Sequence, residues 1–178
     1  MTLSLRDPQT LHELLNYRLV RLYAASSAPV TRLMEGRWGL SRREWRLLAL
    51  LAAHGALAPS VLAERAQLDR PRTSRAITSL VAKGLAERAA ERGDARRARI
   101  ALTRAGCQIY DEIFPQVAAI NARVMAVLDD AGTQAFDLAL ARLTAEAVRL
   151  NAEIAQDVRA DRRAGGSRRV RDWPGGQG

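Results

Sequence analysis

The run Leu62–Leu85, LAERAQLDRPRTSRAITSLVAKGL, decides the fold. A short helix opens at Pro59 and Ser60, with Val61, Leu62 and Ala66 as its buried side, and it ends before Leu68. Asp69 is placed to cap a second helix from Arg70 to Lys83. Pro71 is tolerated there, because first-turn N–H groups have no intrahelical partner to lose. Ile77, Leu80 and Val81 face inward, and Gly84 stops the helix. The opposite face of its N-terminal half is left with Arg70, Arg72, Ser74, Arg75 and Thr78. Arg pairs with guanine edges through two parallel bonds, and Ser, Thr and further Arg contact phosphates or base edges.

Upstream, Ser41 followed three residues later by Glu44 is a capping-box signature. It opens a helix carrying Trp45, Leu47, Leu48 and Leu51, which runs to about His54 and stops at Gly55. Downstream, two short segments, Leu85–Ala90 and Arg97–Leu102, flank Glu91 to Arg96 and read as a β-hairpin with a charged tip. Helix, short helix, tight turn, helix and hairpin in this order are the layout of a winged helix-turn-helix. Arg96 and Arg97 suit the minor groove, where narrow A·T-rich stretches concentrate negative potential. Ser60, at the start of the short helix, joins Arg70, Pro71, Arg72, Ser74, Arg75, Thr78, Arg96 and Arg97 as candidate DNA-contacting residues. Asp94 would repel phosphate and is read as orienting a neighbouring Arg by a charge-assisted bond.

The charge follows this layout. The chain has 178 residues with 28 Lys plus Arg against 19 Asp plus Glu, a formal net charge of +9. Residues 70–104 hold ten basic and three acidic side chains, so most of the excess is concentrated there. The Arg-rich tail from 159 to 178 adds six Arg against two Asp. Such a distribution attracts polyanions locally.

Outside the central segment, apolar residues keep a helical period. Leu11, Leu14, Leu15, Leu19, Leu22 and Tyr23 lie in a first helix from Pro8 to about Met34, which Pro29 kinks or interrupts, before Gly36–Leu40 breaks the pattern. After Thr103, a candidate N-cap, come Ile109, Ile113, Val117, Ile120, Val124 and Leu128. Beyond Gly132 follow Phe136, Leu140, Leu143, Ala147, Leu150 and Ile154. These stripes exceed what one small core absorbs and point to a second copy of the chain. The expected architecture is mainly α: a winged helix-turn-helix over 41–102 with a two-stranded β-wing, N- and C-terminal dimerisation helices over 8–35 and 103–158, and a disordered tail over 159–178.

Other classes find little support. One cysteine, Cys107, read as small and buried or half-buried, and two separated histidines, His12 and His54, make no zinc pattern. No Ser-His-Asp set and no nucleotide-binding glycine loop is present, so neither an enzyme nor a cofactor is expected. With no signal-type or membrane-length apolar run, a cytoplasmic protein is expected. The alternative to DNA binding is a winged helix that docks on another protein, which lacks the steep salt dependence of phosphate contacts.

Three separated motifs, SRREWRLLALLAAHG at 41–55, LAERAQLDRPRTSRAITSLVAKGL at 62–85 and GDARRARIALTRAG at 93–106, resemble the MarR family of winged helix-turn-helix transcriptional regulators in order and spacing. The resemblance covers roughly residues 10–155. Pro71 and Thr73 depart from the usual pattern of the recognition helix. The resemblance implies a homodimer, a repressor on a palindromic double-stranded operator with recognition helices about 34 Å apart, and release by a small aromatic carboxylate or phenol. It places the effector between the dimerisation arms and the DNA-binding lobe, with Tyr17, Arg18, Arg21, Trp45 and Arg46 as candidate ligand residues.

Overall fold

The computed structural model describes residues 5–91 and 94–158, with only the backbone of 90, 91 and 94–98. The chain divides into two compact units, residues 1–124 and 125–178. The first begins with a 3-10 turn at Leu11–Glu13 and continues through α1 (Leu15–Trp38), α2 (Arg42–His54), α3 (Pro59–Arg65), α4 (Arg70–Ala82), β1 (Ala86–Glu91), β2 (Asp94–Leu102) and α5 (Arg104–Met125). The second holds α6 (Asp130–Asp157). No helix among the described residues is long and apolar enough to cross a membrane.

The core lies where α2, α3, α4 and the root of the hairpin converge. Leu47, Leu48 and Leu51 from α2, Leu62 from α3, and Ile77 and Leu80 from α4 are buried with Met34, Leu40, Ile100 and Ile113. Each such side chain contributes about 1.5–3 kcal/mol of burial. Ala63 is buried in place of Val61, which is 38% exposed and so does not belong to the inner side of α3 expected from sequence. In a seven-residue helix, the two positions lie on different sides and only one can meet α2 and α4. The first helix starts later than its pattern indicates, at Leu15 after the 3-10 turn, and runs on past Met34 to Trp38. It passes Pro29 and Gly36 without interruption and ends at Gly39, because Val30, Leu33 and Met34 pack on the core and hold the segment after the proline in register.

Two helix ends set the geometry of the helix-turn-helix. At the end of α3, Gln67 N–H bonds the Glu64 carbonyl (3.0 Å) and Leu68 N–H the Ala63 carbonyl (3.0 Å), the paired bonds of a Schellman turn. Gln67 takes the left-handed conformation, φ +52°, that this turn requires and that glycine usually supplies. The same pair of bonds ends α4, from Gly84 to Val81 (2.9 Å) and from Leu85 to Leu80 (2.9 Å), and here Gly84 holds φ +70°.

The hairpin pairs Ala86 with Leu102, Arg88 with Ile100 and Ala90 with Ala98, and then Glu91 with Asp94. Three residues of β2, positions 95–97, therefore have no counterpart on β1. The wing extends further than expected: β2 starts at Asp94, and Arg96 and Arg97 fall in this bulge rather than in an open tip loop. Sequence pattern misses the bulge because it breaks the alternation from which strands are read. Leu57, in the loop before α3, exchanges backbone bonds with Ile100 (3.0 and 2.8 Å) and ties the hairpin to the helices.

Thr103 joins the wing to α5. Its Oγ1 donates to the Gly84 carbonyl (2.7 Å) and accepts from Gly106 N–H (3.0 Å), as an N-cap should. Gly106 is buried against the Leu85 backbone, and a Cβ there would overlap the Leu85 carbonyl oxygen. Cys107, the next residue, is exposed, contrary to the sequence expectation, since the first turn of α5 buries only Gly106. In the second unit, α6 is capped by Asp129, which accepts from Gly132 N–H (2.7 Å), and buries none of its residues. Gly106→Ala is expected to destabilise the protein by about 3 kcal/mol, since backbone rather than a flexible side chain must yield; urea unfolding with an unchanged midpoint would contradict this packing.

Candidate nucleic-acid interface

Helix α4 has two faces of the same spacing. Thr73, Ala76, Ile77 and Leu80 fall at i, i+3, i+4 and i+7 and are buried. Pro71, Ser74, Arg75 and Thr78 fall at the same intervals on the opposite side and are exposed, flanked by exposed Arg70 and Arg72. The hydroxyl of Thr73 donates to the Asp69 carbonyl (2.9 Å), so this departure from the usual pattern faces the core and leaves the outer face unchanged.

The Asp69 side chain caps the helix by accepting from Arg72 N–H (2.7 Å) and also meets the Arg72 guanidinium (3.3 Å). Arg72 is thereby oriented while its side chain stays 54% exposed. Ser60 is exposed at the second position of α3. The structure thus gathers Ser74, Arg75 and Thr78, with Arg70 and Arg72, on one polar helix face. The side chains of Asp94, Arg96 and Arg97 lie outside the described residues, as does the tail 159–178.

A buried carboxylate fixes α4 against α2. Glu44 closes the capping box at the start of α2, accepting from Ser41 N–H (2.7 Å) while Ser41 Oγ accepts from Glu44 N–H (3.3 Å). Its other oxygen accepts from Ser79 Oγ (2.7 Å) and Lys83 Nζ (2.6 Å), both from the α4 side, and Lys83 also donates to the Gly39 carbonyl (2.6 Å). Burial pushes the Glu44 carboxyl up, but Lys83, Ser79 and Ser41 together outweigh it and hold the group at about 2, against 4.5 ordinarily. The capping box signals Glu44 as a cap; its bonds to α4 connect positions 35 and 39 residues away and leave no local trace.

The candidate effector residues separate into three settings. Arg18 and Arg21 line an open cavity of about 400 Å³ with His12 and Leu22, and Tyr17 meets the His12 ring edge-on at 5.1 Å. Trp45 is half-buried and stacks on Tyr110 at 5.8 Å, which in turn lies 5.4 Å from Phe114. Arg46 bonds Tyr23 and the Ala66 carbonyl. Within one chain the cavity unites Arg18 and Arg21 but does not include Trp45 or Arg46. Tyr110 and Phe114 were not singled out by the sequence, where they stand in an ordinary helical stripe. Among the described residues no group of acidic, His or Cys side chains is arranged to hold a metal.

Comparison with known proteins agrees with this layout. Residues 38–97 match the family model described as MarR family. The HTH-type transcriptional regulator FarR of Neisseria gonorrhoeae is 35% identical over 78 residues, covering 44% of this chain and 53% of that protein. The chain therefore spans about half the length of the curated relative it matches. A MarR family transcriptional regulator from Silicibacter pomeroyi superposes with a TM-score of 0.66 at 29% identity, over 77% of this chain and 92% of its own. NadR, solved in complex with 4-hydroxyphenylacetate, gives 0.65 at 28%, over 77% and 96%. PcaV of Streptomyces coelicolor, solved with its natural ligand, shares the fold at 23% identity, with a TM-score of 0.63 over 79% and 98%.

A carboxylate held below its ordinary pKa stabilises the fold fully above pH 4.5 and loses that contribution as the pH falls toward 2. Between pH 5 and pH 3, Glu44→Gln is therefore expected to lose about 2 kcal/mol less stability than the parent protein. Parallel chemical-denaturation curves at the two pH values check this, and equal losses would contradict the clamp.

Proposed function

We propose that this chain, whose residues 38–97 match the MarR family model, is a homodimeric, sequence-specific DNA-binding regulator of that family that represses transcription from a palindromic operator and is released by a small aromatic acid or phenol. The observation that carries the reading is the outer face of α4, where Pro71, Ser74, Arg75 and Thr78 are exposed opposite the buried Thr73, Ala76, Ile77 and Leu80. In this reading α4 enters the major groove, where Arg75 reads a base edge and Arg70, Arg72, Ser74 and Thr78 position the helix on phosphates. Pro71 and Ser60 line the same contact. The wing reaches the adjacent minor groove with Arg96 and Arg97, held by Asp94.

A protein of this kind acts in the cytoplasm, needs no cofactor and catalyses no reaction. Dimerisation through 8–35 and 103–158 accounts for apolar side chains that the single chain leaves exposed, among them Leu11, Leu14 and Leu22 in the first arm and Leu138, Leu143 and Ile154 in the last. Symmetric pairing would place the two copies of α4 about 34 Å apart, one turn of duplex.

The effector reading is supported by the paired guanidinium groups of Arg18 and Arg21 at one open cavity, chemistry suited to a carboxylate. The complex of NadR with 4-hydroxyphenylacetate adds to it. Tyr17 and Trp45 are the remaining members of the proposed site, whereas Arg46 is committed to Tyr23 and the Ala66 carbonyl. An effector acts by binding the DNA-incompetent arrangement more tightly, which lowers operator affinity by the ratio of its two affinities.

A duplex selected from a random pool by the purified protein supplies the probe. Arg75→Ala and Arg96→Ala are each expected to weaken binding to it by about 10-fold or more without altering the dimer, and Arg75→Ala to relax base preference at one position per half-site. Log affinity should fall steeply with log salt. Failure to select any duplex, or a flat salt response, would favour the protein-docking alternative.

A further inference from the structure

We infer that Tyr23 and Arg46 are positioning residues that carry the placement of α1 to the turn between α3 and α4. The Arg46 guanidinium, on α2, spans the neighbouring helices. Nη1 donates to the Ala66 carbonyl at 2.9 Å, and Nη2 donates to the Tyr23 hydroxyl at 2.8 Å. Arg42, one turn earlier on α2, lies over the Tyr23 ring with its guanidinium carbon 5.3 Å from the centroid. Tyr23 is thus held at its ring and at its oxygen by two α2 side chains.

The acceptor gives this arrangement its meaning. The last carbonyls of a helix lack partners within it, and α3 is only seven residues long. Ala66 stands at its end, next to Gln67 with its left-handed backbone, and three residues later Asp69 caps α4. A charged donor at that carbonyl makes a stronger bond than a neutral one and complements the negative helix end. The planar guanidinium presents its donors in a fixed fork. A shift of the Tyr23 oxygen must therefore rotate the guanidinium or break one of its bonds, and either change is felt at Ala66.

The position of Tyr23 along α1 sharpens the point. It precedes Pro29, whereas Val30, Leu33 and Met34, which pack on the core, follow it. The bond from Tyr23 therefore reports on the half of α1 that carries Arg18 and Arg21. Arg46, counted among candidate effector residues by resemblance, is assigned here to transmission rather than to ligand contact.

The test uses the full-length protein and two readouts, the second of which alone rests on the DNA-binding reading. Tyr23→Phe removes only the hydroxyl and leaves the ring under Arg42. It is expected to speed hydrogen exchange at the Gln67 and Leu68 amides by about fivefold, while the Gly106 and Cys107 amides stay unchanged. Arg46→Gln should do at least as much, and the double variant no more than Arg46→Gln alone. The same variants should weaken binding to the selected duplex severalfold at an unchanged melting temperature. Unaltered exchange at Gln67 and Leu68 in Tyr23→Phe, or additive effects in the double variant, would overturn the inference. If the parent protein selects no duplex, the regulator reading fails, and the exchange experiment still decides the link.

Discussion

The Glu44 carboxylate is the interaction on which the arrangement of this protein depends. A capping-box glutamate ordinarily serves one helix start, and here it serves two helices at once. One oxygen closes α2, and the other receives Ser79 and Lys83 from the far end of α4. The apolar contacts of Leu47, Leu48, Ile77 and Leu80 hold α2 and α4 together without fixing how far one slides along the other. A buried charge with directed donors is less forgiving. Because Glu44 ties the C-terminal end of α4 to the start of α2 while Ile77 and Leu80 pack along its inner side, the exposed face of α4 stands at a set angle to α2.

A second constraint fixes the wing relative to that helix. Gly84 ends α4, Thr103 bonds its carbonyl, and the backbone of Leu85 passes so close to Gly106 that no side chain fits. Leu57 and Ile100 add a backbone pair on the other side of the hairpin. The root of the wing is thus as firmly placed as the helix it follows. Arg70, Arg72 and Arg75 on α4 and Arg88 and Arg99 on the wing accordingly belong to two elements whose bases are covalently and sterically joined, which matters more for recognition than the total charge does.

Much of this was legible from residue types. Ser41 with Glu44, Asp69 before Pro71, and Gly84 after the last apolar residue of α4 mark helix ends through local bonds, and local bonds leave local patterns. The polar face of α4 was readable for the same reason, as the complement of a helical apolar period. What escaped was non-local or irregular. The bulge of β2 breaks the alternation that marks a strand, Val61 and Ala63 exchange roles because of what α3 meets, and Gln67 occupies a backbone conformation that its identity does not advertise. The candidate effector residues fared differently again. Tyr17, Arg18, Arg21, Trp45 and Arg46 rested on resemblance, and a single chain distributes them over distinct surroundings, one of which ties helices together.

Pro29 gives α1 a mechanical character that its unbroken path conceals. Lacking an N–H, it leaves the carbonyl four residues earlier, at Ala25, without the usual helical bond, so bending costs least at that level. The stretch from Leu15 to Pro29 is about 21 Å of helix, and a tilt of about ten degrees at the joint would sweep its tip by roughly 4 Å. The first arm can therefore act as a lever whose fulcrum is set in the middle of a helix, so that a small molecule or a neighbouring subunit pressing on its end works at mechanical advantage upon the globule below.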